Sequence, residues 1–257
     1  MEFPVSLDHL AMLFLAAIVA GFIDAIAGGG GLITLPALLL AQIPPVNALA
    51  TNKLQGSFGT LTSSLTMLRK GKVRFAEIRV LFLSSLIGST LGAVLLLVID
   101  PKSLDLVVPL ILTAIALYFG FQRKAGETEA PARISARLYR NAVVPAIGFY
   151  DGVFGPGSGS IFSASAVFFR GQTLVKATAT AKVLNFSANI ASLVVFVCGR
   201  KVLWTVGAVM IAGNMLGAHL GAVAAIGGGA RLIRPMIVVV CLAMLARYGW
   251  QRGFALL

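Results

Sequence analysis

The chain contains 257 residues, of which 58% are hydrophobic and only 12% are charged. A soluble globular protein has about a quarter of its residues charged, so this composition excludes a water-soluble fold and predicts a membrane protein. The formal net charge of +12 does not indicate nucleic-acid binding, because the basic residues gather in loops between apolar stretches. No groove lined by aromatic residues accompanies them.

Four apolar segments make up the first half of the chain. They cover about residues 9–42, 46–68, 78–99 and 104–121, and the glycines at 28–31 interrupt the first of them. A run of about 20 apolar residues is long enough to cross the hydrocarbon core of a bilayer. Each segment is therefore a predicted transmembrane element, and the first one is predicted to be broken.

A polar linker at 122–140 separates this half from the next. Its basic residues are Arg123, Lys124, Arg133, Arg137 and Arg140, and an earlier loop at 69–79 is similarly basic. We predict an amphipathic, water-exposed connection, and we place both basic stretches on the cytoplasmic side because basic loops are retained there.

The apolar pattern then returns, at about 141–169 with an interruption at 155–159, and at 174–197, 203–226 and 232–250. GFID at 21–24 recurs as GFYD at 148–151, the glycine block recurs as GPGSG, and ALATNKL at 48–54 recurs as ATATAKV at 177–183. GSTLGA at 88–93 also recurs as GNMLGA at 213–218, and LVVPLI at 106–111 as LIRPMI at 232–237. Landmarks in a constant order indicate a duplicated unit.

The predicted fold is an all-α polytopic membrane protein with about eight transmembrane helices. They form two homologous four-segment repeats, at 9–121 and 141–250, and glycines break the first segment of each repeat. If each broken segment crosses the membrane once, the halves are parallel and the C-terminus is cytoplasmic. If each one dips in and returns, the halves are inverted, and the charges of the loops do not decide between these alternatives.

The two interruptions predict a buried polar pocket. Helix breaks are tolerated in lipid only where protein covers the freed backbone groups or where they line a wet cavity. A helix that restarts after the break points free N–H groups and the positive end of its dipole into it, an arrangement that binds anions. We interpret the spaced pair Gly88 and Gly92, and the spaced set Gly213, Gly217 and Gly221, as sites of close helix packing instead.

Charged residues occupy matching places in the two halves. Lys53 corresponds to Lys182, and Asp24 corresponds to Asp151. A lysine that faces lipid without a partner is costly, so each lysine either snorkels to the membrane surface or faces the pocket. The aspartates either neutralise a lysine, for example Asp24 with Lys53, or serve as proton carriers beside an anion site.

Hydroxyl and amide side chains accompany these charges. Thr51, Asn52 and Gln55 belong to the first copy, and Thr180, Asn185 and Asn189 to the second. Such groups can donate hydrogen bonds to an oxyanion, or they can join helices together. His219 is interpreted as a packed polar residue of a helix face and not as a proton relay.

The motifs resemble those of the TauE/SafE sulfite exporter family, also called the toluene-sulfonate uptake permease family. The resemblance lies in GFIDAIAGGGGLITLPALLL, the PP pair and ALATNKLQGS of the first half, and in GFYDGVFGPGSGS and ATATAKVLN of the second. It covers nearly the whole chain except the linker and the last few residues. It implies a multi-pass transporter of the bacterial inner membrane that moves sulfite, sulfonates or related organic anions, often outward.

The resemblance also implies a set of site residues. Those expected to bind substrate are Gly28, Gly29, Gly30, Gly31, Thr51, Asn52, Lys53, Gly155, Gly157, Gly159, Thr180 and Lys182, to which the polar neighbour Asn185 is added. Asp24 and Asp151 are expected to be charge partners or proton-coupling residues. Pro156, Ser158 and Ala181 depart from the first copy, so the two half-sites need not bind equally.

The leading hypothesis is a secondary transporter that exports a small anion, most simply sulfite, an organosulfonate or a related anion, by alternating access around the two broken helices. Proton coupling is left open. The alternatives are an anion channel and a permease for a non-sulfur carboxylate. No catalytic set, metal-ligand cluster or nucleotide-binding loop occurs in the sequence, so no enzyme, metal or cofactor is expected. The expected partners are the anion and the bilayer, and a homodimer is left open.

Overall fold

The computed structural model describes residues 6–96, 107–121 and 125–255. All regular elements in these ranges are helical, which confirms the predicted all-α class. Four helices are long and apolar enough to cross a membrane, at Leu7–Ala27, Phe75–Leu96, Leu174–Cys198 and Trp204–Ala246. The end of the segment predicted at 78–99, the start of the one at 104–121 and residues 122–124 of the linker lie outside the described residues.

The helices follow the predicted breaks closely. In chain order they are α1 (Leu7–Ala27), α2 (Gly31–Leu40), α3 (Pro45–Arg69), α4 (Phe75–Leu96), α5 (Val107–Phe121), α6 (Ala136–Leu138), α7 (Val144–Val153), α8 (Ser158–Arg170), α9 (Leu174–Cys198) and α10 (Trp204–Ala255). A π-helical turn, Tyr139–Val143, joins α6 to α7. Within α10, Gly229 has φ 54° and ψ −148°, so the helix is kinked there.

The first interruption is a tight reversal at the end of α1. Gly28 adopts a left-handed conformation with φ 81°, and its amide donates to Asp24 O at 2.7 Å. The next helix then folds back, as shown by Leu38 of α2, which shares a buried cluster with Leu13 of α1 and with Leu203, the residue before α10. The first broken segment is therefore a hairpin whose two ends lie on the same side of the molecule.

The second interruption also forms a hairpin, and its open end lies on the side of the molecule opposite to that of the first. The hydroxyl of Tyr139, ahead of α7, lies 3.0 Å from that of Ser165 in α8, so α8 runs back along α7. The end of α8 meets the linker, where Arg133 N donates to Phe169 O at 2.9 Å. The other side of the molecule is defined by the start of α3, where Asn47 Nδ2 donates to Lys201 O at 2.8 Å.

The linker is bound to the helix ends on its side of the molecule. Glu129 pairs with Lys176 at 3.2 Å, and Glu127 pairs with Arg234 at 3.4 Å. The guanidinium group of Arg133 lies over the ring of Phe168, 4.1 Å from its centroid. The described part of the linker thus touches α8, α9 and α10, and its last residues already belong to the helical run that begins at Ala136.

The spaced glycines pack helices closely, as predicted. A Cβ atom on Gly88 or Gly92 of α4 would overlap the carbonyl oxygens of Pro145 or Phe149, and one on Gly217 of α10 would overlap that of Ile18 in α1. Gly213 and Gly221 face the carbonyls of Phe14 and Phe22 in the same way. Two helix pairs, α4 with α7 and α1 with α10, are thereby held backbone against backbone. Helices α3 and α9 pack against each other between these pairs, α3 on α10 and α9 on α4.

Candidate functional site

The two central helices carry polar faces that are turned away from lipid. In α3 the buried residues include Thr51, Asn52, Lys53 and Gln55, and in α9 they include Thr180 and Lys182. Lys53 and Lys182 are each at most 1% exposed. Neither lysine therefore reaches the membrane surface, and the alternative that these side chains snorkel does not apply.

Each lysine is paired with an aspartate from the other half of the chain. Lys53 Nζ lies 3.0 Å from Asp151 Oδ2 and 2.6 Å from Asp151 O, and it also donates to Asn189 Oδ1 at 3.2 Å. Lys182 Nζ lies 3.1 Å from Asp24 Oδ2 and donates to Asp24 O as well. The suggested pairing of Asp24 with Lys53 is therefore wrong, because the two ion pairs cross between the halves.

Each aspartate also contacts the start of the short helix that follows it. Gly30 N, ahead of α2, donates to Asp24 Oδ1 at 3.2 Å, and the hydroxyl of Ser158, the first residue of α8, donates to Asp151 Oδ1 at 2.5 Å. Carboxylates are stabilised at helix N-termini by the free amides and the dipole. The two interruptions thus bring an ion pair and a helix N-terminus together twice.

The two interruptions touch each other. A Cβ atom on Gly28 would overlap Gly159 Cα, and one on Gly159 would lie 2.6 Å from Gly28 Cα. The hydroxyl of Ser160 donates to Ala27 O. Only residues without side chains allow this approach, which explains why glycine stands at both positions where the two breaks meet.

A small polar cavity lies beside this contact. Its volume is about 40 Å³, which is enough for about three water molecules. The lining residues are Asp24, Gly28, Gly30, Gly31, Asn52, Lys53, Gln55, Gly56, Thr60, Asp151, Gly155, Gly157, Ser158, Asn185, Asn189 and Asn214. The wall therefore consists mainly of glycine, hydroxyl and amide groups, together with one buried ion pair and Asp24.

A chain of hydrogen bonds orders one side of this cavity. Asn214 Nδ2 donates to Gln55 Oε1, and Gln55 Nε2 donates to Asn52 Oδ1 at 2.8 Å. The hydroxyl of Thr34 in α2 lies 2.5 Å from the same Asn52 oxygen. The oxygen of Asn52 is therefore fully used, and its amide nitrogen remains as a hydrogen-bond donor in the cavity wall.

Five residues of the predicted site do not line the cavity. Gly29 packs against Val240, Gly159 packs against Gly28, and Lys182 contacts Asp24 behind the wall. Thr51 accepts a hydrogen bond from Leu203 N at 3.2 Å, and Thr180 lies 3.5 Å from Gln172 Oε1. Thr51 and Thr180 stabilise contacts between elements, so they contribute to the site only through the helices that they hold.

Four lining residues were not predicted: Gly56, Thr60, Ser158 and Asn214. Asn214 lies in GNMLGA, where the first copy has Ser89 in GSTLGA. This amide in place of a hydroxyl was the feature of the sequence that could have marked Asn214 as a lining residue. Ser158 was noted only as a departure from glycine. His219 Nδ1 lies 3.3 Å from Thr66 Oγ1, away from the cavity, in agreement with its interpretation as a packed polar residue.

A helical membrane protein in which two broken helices meet beside a buried polar cavity has the architecture of a membrane transporter. The chain belongs to the TauE/SafE sulfite exporter family, whose model matches residues 13–248.

Relatives with assigned names agree with this class. A probable membrane transporter protein of Haemophilus influenzae is 46% identical over 97% of this chain and 98% of its own length. The probable membrane transporter protein ORF9 of a Sinorhizobium species is 45% identical over 93% of this chain and 91% of its own length. The probable membrane transporter protein YfcA of Escherichia coli K12 is 41% identical over 95% and 91%, respectively. No solved structure matches the chain.

Proposed function

We propose that this protein is a secondary transporter that exports a small sulfur oxyanion, sulfite in the first instance, across the bacterial inner membrane. The observation that carries the proposal is the polar cavity beside which the two broken helices and the crossed ion pairs meet. The family name supplies the substrate class. A cavity that holds about three water molecules favours a compact inorganic ion over an organosulfonate.

The topology that fits best is a pair of inverted repeats, at 9–121 and 141–250, with the linker 122–140 between them. The α1–α2 hairpin opens toward the side of Lys201, and the α7–α8 hairpin opens toward the side of the linker. Helix α3 has 25 residues, long enough at about 1.5 Å per residue to carry the chain across. It ends at the basic loop that begins with Arg69.

The positive-inside rule then orients this architecture. The linker side holds the basic loop after α3, the described arginines of the linker, and Arg170, Lys176, Arg231 and Arg234. The opposite side holds Arg200 and Lys201 among the described loop residues. Basic loops stay in the cytoplasm, so the linker is cytoplasmic, and the protein crosses the membrane several times.

Alternating access follows from the arrangement of the hairpins. In transporters with inverted repeats, the two halves tilt against each other around a central substrate site. Here the hairpins meet through Gly28 and Gly159, and the ion pairs join the halves across the same point. Tilting would open the cavity first to the cytoplasm and then to the outside, whereas a channel would need both entrances open together.

Proton coupling is part of the proposal. An anion that takes the ammonium group of Lys53 leaves Asp151, which is 1% exposed, without its opposite charge. A buried carboxylate without a partner is unfavourable and takes up a proton. Anion binding and proton uptake at Asp151 are thereby linked, and Asp24 can act in the same way with Lys182.

Purified protein in liposomes tests the function. We expect uptake of labelled sulfite, accumulation above the outside concentration when a proton gradient is imposed, and loss of flux in the Lys53→Ala, Lys182→Ala double variant. Surface Lys176→Ala is the matched control and should retain flux. Uphill accumulation separates a transporter from a channel, which would only dissipate the gradient. Unchanged flux in the double variant would remove the lysines from the mechanism.

A further inference from the structure

The charges around the cavity indicate the charge of the ion that it accepts, an inference that rests on the proposed anion transport. The titratable residues in its wall are Asp24, Lys53 and Asp151, and Lys182 contacts Asp24 directly. With both ion pairs formed, as in this structure, two lysines and two aspartates cancel. The ion pairs therefore make no net contribution to the attraction of an anion.

The backbone adds helix ends of both signs at the two breaks. The helices α2 and α8 have 10 and 13 residues, and their first residues, Gly31 and Ser158, both line the cavity. A helix N-terminus acts as roughly half of an elementary positive charge. The C-termini of α1 and α7 lie at the same two breaks and act as roughly half of a negative charge each, so the helix ends together contribute little net charge.

The remaining donors in the wall are neutral, and one of them has no partner. Asn52 is 8% exposed, its oxygen accepts from Thr34 and Gln55, and its amide nitrogen has no partner among the described residues. This nitrogen is free to donate a hydrogen bond to a water molecule or a ligand in the cavity. Such a donor binds an oxygen of an oxyanion but adds no charge.

We propose that the cavity is built for an oxyanion with a single negative charge, such as hydrogen sulfite, and that it rejects the corresponding dianion. The wall carries little net charge and stabilises an ion mainly through neutral donors, so a dianion costs more to bury than a monoanion in surroundings where charge interactions are much stronger than in water. The side chain of Asp24, 20% exposed, sets this limit, because removing its charge would leave the cavity with about one more positive charge.

Perchlorate and sulfate test the proposal, because both are tetrahedral and they differ by one unit of charge. The full chain, purified in detergent at neutral pH, is titrated with each ion by calorimetry and by thermal shift. We expect sulfate to bind at least about tenfold more weakly than perchlorate. Asp24→Asn should change the ratio of the two affinities by at least about tenfold in favour of sulfate. The two ions differ in hydration, but this difference is the same for wild type and variant, so it cancels when their affinity ratios are compared.

Glu129→Gln is the matched control, because it removes one carboxylate from an ion pair on the surface and should leave the ratio unchanged. Equal affinity of the wild type for both ions, or an unchanged ratio in Asp24→Asn, would overturn the proposal while leaving anion transport intact. Absence of binding by any anion, sulfite included, would instead refute the proposed function.

Sulfite and methanesulfonate supply a second measurement that needs no variant. Above the second ionisation of sulfite, the affinity for total sulfite should fall about tenfold for each unit of pH, because hydrogen sulfite disappears in that proportion. Methanesulfonate keeps its single charge, so its affinity should stay constant over the same range. An affinity for sulfite that rises with pH would overturn the proposal even if Asp24→Asn failed to fold.

Discussion

The substitution Lys53→Met removes one ammonium group and leaves most of the side-chain volume in place. The ion pair of Lys53 with Asp151 spans 3.0 Å, and each side chain is 1% exposed. After the change, Asp151 retains the hydroxyl of Ser158 at 2.5 Å and the amide of Asn185 at 3.5 Å. These neutral donors do not replace the lost charge, so we expect the free energy of unfolding to fall by about 3–5 kcal/mol.

The double variant Lys53→Met, Asp151→Asn should recover most of this loss, because a neutral pair of similar volume removes the charge that was left unpaired. The assay is reversible unfolding of the purified chain in micelles for the wild type, both single variants and the double variant. The expected coupling in this cycle is about 3 kcal/mol, whereas independent sites add within about 0.5 kcal/mol. Transport should be lost in all three variants.

Lys176→Met is the control for the charge change itself. Its ion pair with Glu129 has side chains that are 39% and 66% exposed, and such pairs contribute about 1 kcal/mol at most. Additive effects of Lys53→Met and Asp151→Asn would show that the two residues do not stabilise each other. That result would refute both the crossed pairing and the argument for proton uptake that depends on it.

Three further predictions concern the glycines and the amide of Asn52. Gly28→Ala should destabilise the protein and abolish transport, because its Cβ would overlap Gly159. Gly71 has a similar positive φ but nothing within 4 Å, so Gly71→Ala should lower the free energy of unfolding by only about 1 kcal/mol. Equal effects of the two variants in thermal unfolding would contradict the contact between Gly28 and Gly159. Asn52→Ala should weaken anion binding about tenfold and should also lower the melting temperature, because Gln55 Nε2 loses the oxygen to which it donates. Thr180→Ala, outside the cavity wall, should leave binding unchanged, and equal binding by both variants in calorimetry would contradict the role of Asn52. A Cβ on Gly56 has room, 3.7 Å from Asn189 Nδ2, so Gly56→Ala should keep the fold while narrowing the cavity. Methanesulfonate flux should therefore fall more than sulfite flux, and Gly120→Ala is the control. An equal loss of both fluxes would contradict selection by the size of the cavity.

The positions of the interruptions and of the buried charges could be predicted from the sequence, because glycine blocks and charged residues are rare in membrane helices. The partners of the charges could not. Asp24 lies in the same repeat as Lys53, and duplication makes a pair within one half look equivalent to a pair across the halves. Packing of the first hairpin against α9 decides which lysine Asp24 pairs with, because it brings Asp24 to Lys182.

The direction of the chain after each break could not be predicted from the sequence either. A glycine at position 28 permits the left-handed conformation with φ 81° that turns α2 back along α1, but it equally permits a straight crossing. The position of Asn214 in the cavity wall could not be predicted from the sequence either. Its distance from the cavity depends on how closely α10 packs on α3, where the absence of a side chain at Gly59 lets the amide approach.

The crossed ion pairs have a consequence for how the protein is made. When the ribosome has completed α1 to α5, Asp24 and Lys53 are already in the nascent chain, but Asp151 and Lys182 have not yet been synthesised. We therefore expect the buried charges of the early half to lack their final partners until α9 has been synthesised. Separate genes for residues 1–121 and 122–257 should thus yield stable protein only when they are expressed together.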